Sequence, residues 1–587
     1  MWKNAAAIAL LSCASCGSEP DATPDAATDA ARDAPEAATD AAKAPDASQP
    51  DATPLDASAQ PDVTPDASQP DAAVPADMGA ITLCSRPLLP VSTTRVTSQR
   101  PTLQFSRAPG LRNTRVEVCR ERDCRAPVLS VDSPDDYLAV PTNLPAGVYF
   151  WRIVPRNAEG DTCTSATWQF TVPARSLTPP RSWGAALDVN GDGYGDLAVA
   201  SVDAAGATGS VRVYHGSATG LGDTPAAVYA GLTTRAGAYD APPVAAPAGD
   251  LNGDGFGDLA VGLAAALDGD GQVLVYFGSP RGLPARPDAD LRSTEGRHGR
   301  FGAALAGVGD IEGDGYADLV VGAPRARATS AADTGVPGRV YAFHGLPNGI
   351  RYTPTTTVTG PNPAGGEFGA ALAGAGDVNS DRFPDLVVGA PGAARAYVYR
   401  GTALGLVASP IATFDDSATA GFGALVGSAG DVDADNHADV FVAGSGPDGR
   451  VLVRLAGRGG MFMAAPTVLA AGAAVSAVAA ADTNADGYSD VAVGASSRAV
   501  VLGFLGSATG LATTPAYTLA LPSVAGFGAS LASVGDVNRD GASDLAAGGT
   551  GGAVAVFHGG ATGAPAMART LTLGDAVRSL GGAWGGL

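Results

Sequence analysis

The chain has 587 residues, too many for one small domain, and carries a formal net charge of −22. That balance argues against nucleic acid as a partner, because such affinity rests on basic patches and none stands out. With 79 glycines and 6% aromatic residues, the composition suits a β-rich repeat protein with many turns better than a helical bundle.

Residues 1–16 read as an export signal. Lys3 is its positive start and Ala5 to Leu11 its short apolar run. The run is far below the about 20 residues that span a bilayer. Leu10-Leu11-Ser12-Cys13 resembles a bacterial lipobox, in which the cysteine becomes the lipidated first residue. Cys16 is a second candidate, and the leucine three places before Cys13 favours Cys13. Aspartate follows neither cysteine, which by the rules of that family favours delivery to the outer membrane. The expected location is therefore an outer-membrane lipoprotein facing the periplasm or the cell surface, held to the membrane by its lipid alone.

Residues 17–80 are mostly Asp, Ala, Pro, Thr and Ser with hardly a large apolar side chain, and Pro-Asp-Ala recurs at Pro24, Pro45, Pro50, Pro65 and Pro70. Such a segment buries too little apolar surface to fold, and its like charges repel. It is expected to be a disordered acidic linker, stiffened by proline, that lifts the folded part from the membrane.

Residues 81–174 change character. Val116 to Cys119, Tyr149 to Val154 and Thr167 to Val172 have the pattern of short strands between Pro and Gly turns, which predicts a β-sandwich of about 90 residues. The stretch from Leu144 to Arg152 resembles a fibronectin type III domain, with Trp151 as core anchor. Cys84, Cys119, Cys124 and Cys163 fall in this window. An even count in an exported chain suggests disulfides. Cys119 with Cys124 would close a hairpin and Cys84 with Cys163 would staple the domain, although three connectivities are open.

Residues 175–587 hold a nine-residue phrase seven times, with starts spaced by 62, 60, 67, 54, 51 and 54 residues. Periods of this size indicate a propeller or solenoid. Around the third copy the order is legible. Phe301 to Gly309 is a strand of small residues, Asp310 to Asp318 an acidic bend, and Leu319 to Pro324 a second strand. Arg339 to Gly345 and Thr355 to Thr359 supply two more, and four strands make a propeller blade. The expected fold is all-β: a seven-bladed β-propeller after the sandwich and linker.

Positions 1, 3, 5 and 9 of each phrase carry side-chain oxygens, and position 7 can add its backbone carbonyl. The first copy offers Asp188, Asn190, Asp192, Tyr194 and Asp196, and the second Asp250, Asn252, Asp254, Phe256 and Asp258. The third offers Asp310, Glu312, Asp314, Tyr316 and Asp318, and the fourth Asp377, Asn379, Asp381, Phe383 and Asp385. Asp431, Asp433, Asp435, His437 and Asp439 form the fifth. Asp482, Asn484, Asp486, Tyr488 and Asp490 form the sixth, and Asp536, Asn538, Asp540, Ala542 and Asp544 the seventh. Oxygen donors in this pattern suit Ca2+, up to seven ions in all. Position 12 is Val199, Val261, Val321 or Val388 rather than the bidentate Glu of an EF-hand, so Asp at position 9 must close the site. Arg382 stands at position 6 of the fourth copy and is expected to compete for its carboxylates.

Phe301-Gly302 with Gly322-Ala323-Pro324, and Phe368-Gly369 with Gly389-Ala390-Pro391, resemble FG-GAP repeats, the blades of the integrin alpha-subunit propeller. Phe422-Gly423 and Phe527-Gly528 match too, and the first, second and sixth blades lack the pair. The resemblance implies an adhesion module that presents loops to a protein or glycan ligand while calcium stiffens another face. Two readings stand beside it: a calcium-dependent propeller enzyme acting on polysaccharide or phospholipid, and a structural scaffold of the envelope. Neither H-E-x-x-H nor G-x-S-x-G occurs, and His215, His344 and His558 each precede glycine at one repeated strand end. No catalytic residue is therefore assigned.

Overall fold

The computed structural model describes residues 85–584, apart from short segments at 108–112, 158–159, 162–163, 204–205, 207, 234, 237–238, 294–297, 327–334, 362–364, 448, 464, 562 and 582. The export signal, Cys13, Cys16, the acidic linker, Cys84 and Cys163 lie outside the described residues.

Two sheets form the first folded part. Arg86–Leu89, Thr102–Ser106 and Tyr137–Ala139 make the smaller one. The larger runs in the order Ser182–Trp183, Thr94–Val96, Trp168–Val172, Gly147–Asn157, Asn113–Cys119, Pro127–Ser133. Alternating residues of Asn113–Cys119 turn inward, which places Val116 and Val118 in the core. Trp151 and Trp168 are buried beside them, edge to face with centroids 6.2 Å apart. Truncating such a side chain removes both transfer energy and packing, so Trp151→Ala should cost this sandwich about 3–5 kcal/mol. A lowered urea midpoint checks it. Cys119 and Cys124 are joined, with Cα atoms 5.3 Å apart.

From residue 244 onward four-stranded antiparallel sheets follow one another. In the third blade the strands are Ala304–Gly309, Asp318–Ala323, Arg339–Leu346 and Thr356–Thr359, as the repeat predicts. Each second strand is wholly buried, since it lies between neighbours on both sides. The first strands pack on one another in a closed cycle that runs from Val244–Gly249 to Ala576–Gly581 and back. Crowding at that centre explains their Gly and Ala: a Cβ on Gly307 would sit 2.5 Å from the Pro247 carbonyl oxygen of the preceding blade.

The spacing of the Phe-Gly and Gly-Ala-Pro pairs has a physical cause. Within the third blade, the Gly302 N–H donates to the Gly322 carbonyl (3.0 Å). Gly322 in turn abuts the next Phe-Gly pair, and its missing Cβ would lie 2.1 Å from the Gly369 carbonyl oxygen. The same approach joins Gly262 to Gly302, Gly389 to Gly423 and Gly494 to Gly528, at 2.2, 2.0 and 2.2 Å. Of the three blades that precede one lacking the pair, the first and fifth have Ala200 and Ala443 at this position, and the seventh has Gly548, which abuts Ser530 and Val577 instead. The phenylalanines of the pairs, Phe301, Phe368, Phe422 and Phe527, are all buried.

The first blade is built differently from the others. Residues 181–187 look like its shortened inner strand, but they do not fill that place. Ser182–Trp183 pairs with Arg95 and Val96 of the sandwich, which extends that sheet past residue 174. Ala185–Ala186 pairs with Ala583–Trp584. The inner strand is Ala576–Gly581, antiparallel to Leu197–Val202, with Ala198 opposite Gly581 and Val202 opposite Ala576.

Candidate metal centres

From the second blade to the seventh, each acidic phrase forms the bend between the first and second strands, and in the first blade it leads from Ala185–Ala186 into the second strand. In the first, Asp188 accepts the N–H groups of Gly191 (2.7 Å) and Asp192 (3.2 Å) on one oxygen and that of Gly193 (2.8 Å) on the other. Asp196 accepts from Val189 (2.8 Å) and from Gly216 (2.9 Å), just past the third strand. The plan recurs, with position 1 capped by Gly255, Gly315, Arg382, Asn436, Gly487 and Gly541 in turn. At position 7, Tyr194, Phe256, Tyr316, Phe383, His437, Tyr488 and Ala542 each donate their N–H to the carboxylate at position 5. These bonds shape the bend, and an oxygen that accepts only one of them, such as Asp188 Oδ2, keeps a further lone pair. The turn needs positive φ at positions 4 and 6: Gly191 (67°) and Gly193 (88°) supply it, and Ser380 (66°) and Arg382 (82°) are held to it.

In every copy the N–H of position 5 donates to the carboxylate at position 1, which ties those two positions together. Convergence is tightest in the third and fifth bends, where ligand atoms of Glu312, Asp318 and His344, and of Asp431, Asp433 and Asp439, lie within 4.8 Å of one another. Asp188, Asp196, Asp250, Asp258, Asp439 and Asp544 are fully buried. Burial, then like charge, pushes Asp188 up to about 7 and Asp250 up to about 8. Burial raises Asp431 to about 7 and Asp544 to about 8. Clustered, desolvated oxygen donors of this kind fit a hard divalent cation, whose charge offsets both penalties.

A pH dependence follows. These carboxyls hold protons more tightly folded than unfolded, where aspartate titrates near 3.9. Without a divalent ion, their contribution to stability is complete below about pH 4 and is lost as pH rises through the folded values of about 7 and 8. In EDTA the melting temperature should therefore fall from pH 5 to pH 8, and calcium should flatten that slope because it binds the deprotonated form. Calorimetry across this range checks the sign.

The sandwich is seated on these bends. Trp168 donates to the Gly253 carbonyl (3.2 Å) and Ser92 to that of Gly255 (2.9 Å). Arg86 donates to the Asp314 carbonyl, and Asn436 to the Pro179 carbonyl (2.9 Å). Arg539 of the seventh bend donates to the Arg120 carbonyl (2.9 Å), inside the loop closed by Cys119 and Cys124. Arg122 from that loop lies over the Phe256 ring, 3.7 Å from its centroid, among the charges of Asp188, Asp250 and Asp254. Arg86 over Tyr316 and Arg175 over Tyr488, both at 4.2 Å, repeat the arrangement. Three aromatic side chains at position 7, Phe256, Tyr316 and Tyr488, read from sequence only for their carbonyls, therefore serve as platforms for arginines from the sandwich side.

Sequence reasoning missed other residues. The competitor in the fourth bend is not Arg382, whose side chain is exposed, but Arg181, with its guanidinium 2.5 Å from Asp377. His344, read as a repeat feature, has Nδ1 2.5 Å from Glu312, and His215 Nδ1 lies 3.3 Å from the Asn190 amide. The signal was available: histidine recurs where the third strand returns to the acidic bend. His437 Nδ1 lies 3.1 Å from its neighbour Asp435. Among the described residues no helix is long and apolar enough to cross a membrane.

Known proteins share these features. Residues 377–442 and 431–493 match the model of the FG-GAP-like repeat, and residues 301–343 that of the FG-GAP repeat. The chain is similar to integrin alpha-IIb of Homo sapiens (37% identity over 161 residues, 26% of this chain and 15% of that protein). It is also similar to integrin alpha-PS5 of Drosophila melanogaster (36% over 160 residues, with the same shares). It thus spans about 15% of the length of these relatives. Among solved structures, the periplasmic gluconolactonase PpgL of Pseudomonas aeruginosa has a TM-score of 0.42 at 15% identity, covering 65% of this chain and 98% of that one. The wheel of sheets built from these repeats is an FG-GAP, integrin alpha-like β-propeller.

Proposed function

We propose that the propeller is a calcium-stiffened ligand-binding module of an exported, lipid-anchored protein, with a protein or glycan as its ligand. The observation that carries this reading is the convergence of buried carboxylates at the bends of an integrin alpha-like wheel. Asp at positions 1, 5 and 9 would hold the ion with the residue at position 3 and the carbonyl at position 7, and the ion would supply charge neutralisation rather than chemistry. The anchor would be Cys13 or Cys16.

The seated sandwich narrows the choice of face. It covers the bends between first and second strands, so a partner would meet the opposite end of the wheel. There lie the connections between second and third strands, among them residues 264–271, 391–394, 496–499 and 549–552. Binding sites gather on such loops because a rigid scaffold positions them. A glycan array and a pull-down from outer-membrane and extracellular fractions test the reading, each with calcium and with EDTA. Binding that needs calcium and is lost on replacing residues 391–394 or 496–499 is expected. Binding to nothing in either format, or binding that survives replacement of all four connections, overturns it.

A further inference from the structure

The seven bends are not electrostatically alike. In the fourth, Arg181 Nη1 lies 2.5 Å from Asp377 Oδ2, and in the sixth, Arg95 Nη2 lies 3.0 Å from Asp482 Oδ2. All four side chains are at most 15% exposed, so these are shielded pairs. Each guanidinium comes from the sandwich or the segment just after it, and each meets the carboxylate at position 1. In the other five bends, among the described residues, no guanidinium is bonded to that carboxylate.

A second difference sets the same two bends apart, at position 9. In the fourth, the Asn379 amide turns towards Asp385, 3.4 Å from both oxygens. In the first, second, sixth and seventh, the corresponding Asn190, Asn252, Asn484 and Asn538 donate instead to the aspartate at position 5, at 2.8 to 2.9 Å. In the sixth, the Thr483 hydroxyl donates to Asp490 Oδ2 at 2.6 Å. Both bends thus have a cationic donor on their first carboxylate and an extra side-chain donor on their last. The third and fifth bends, by contrast, have the converging acidic groups.

Resting on the reading of the bends as ion sites, we infer that the fourth and sixth bends are held by sandwich guanidiniums in place of a divalent cation. A guanidinium in contact with the carboxylate at position 1 repels a doubly charged ion a few ångströms away, in surroundings that screen poorly. The two donors that the ion would need most already face positive or N–H and O–H groups. Arg95 and Arg181 therefore have two effects at once: each offsets the charge of its bend's first carboxylate, and both pin the sandwich to the wheel. The chain takes fewer ions than it has acidic phrases.

The test counts calcium bound to the full chain by equilibrium dialysis and elemental analysis. Asp377→Asn with Asp482→Asn should leave the count at its wild-type value, and Asp310→Asn with Asp431→Asn should lower it by two. Because aspartate variants can unfold, Arg95→Gln with Arg181→Gln is measured too and should gain up to two ions. A lowered count in the first variant, or no gain in the arginine variant, overturns the assignment while leaving calcium binding intact. A wild-type chain that binds no calcium removes the ion reading itself, and this assignment with it.

Discussion

Millimolar calcium added to the EDTA-treated chain should raise its melting temperature, and the rise should persist at physiological salt. An ion that binds only the folded state stabilises it by mass action. Extracellular calcium modules bind at about 10⁻⁴ to 10⁻³ M. At ~10 mM free calcium, each occupied bend then adds about 1.4–2.7 kcal/mol. The third and fifth bends, where the donors converge, would together add about 3–5 kcal/mol. Magnesium should do less, because it demands near-octahedral geometry at shorter distances and gives up its waters reluctantly. Identical melting in EDTA and in calcium would mean that the bends are self-capped turns, held by the N–H groups on Asp188, Asp250 and their counterparts.

Gly322→Ala should destabilise the propeller by about 3 kcal/mol or more, the upper end of what overpacking a well-packed core costs. The added methyl group would sit 2.1 Å from the Gly369 carbonyl oxygen. That atom is backbone, and it belongs to a residue at φ +84° whose N–H is bonded to the Gly389 carbonyl, so it cannot swing aside as a side chain would. Relief requires moving one blade against the next. Gly349→Ala is the control: nothing lies within 4 Å of its missing Cβ, and the change should stay within about 0.5 kcal/mol of neutral. Urea melts of the two variants decide the matter, and equal midpoints would show that the blade contact yields.

The parts of the molecule that were legible in sequence are those written locally. The strands and bend of the third blade fall where the repeat puts them, because Asp310 to Asp318 specify a turn through their own neighbours. The Cys119–Cys124 bond joins residues only five apart. What escaped depends on distant segments. Nothing at residues 576–581 announces a partner at 198–202, and the blade's own motifs do not mark its missing inner strand. The arginines on Asp377 and Asp482 come from another fold unit, separated by 196 and 387 residues. At those separations, spacing arguments have no purchase. Only the aromatic residue at position 7, regular but chemically unexplained, hinted that something would rest on the bends.

The strand at Ala576–Gly581 ties the order of synthesis to the order of folding. Leu197–Val202 is made early, yet its inner edge is covered only by a segment made some 375 residues later. Until that segment is synthesised, the first sheet offers an unpaired row of N–H and C=O groups to any neighbouring chain. Contacts of such long range form slowly, so the emerging protein must spend that interval chaperoned or risk sticking to its siblings. A C-terminal tag or truncation would therefore injure the part of the wheel that is made first.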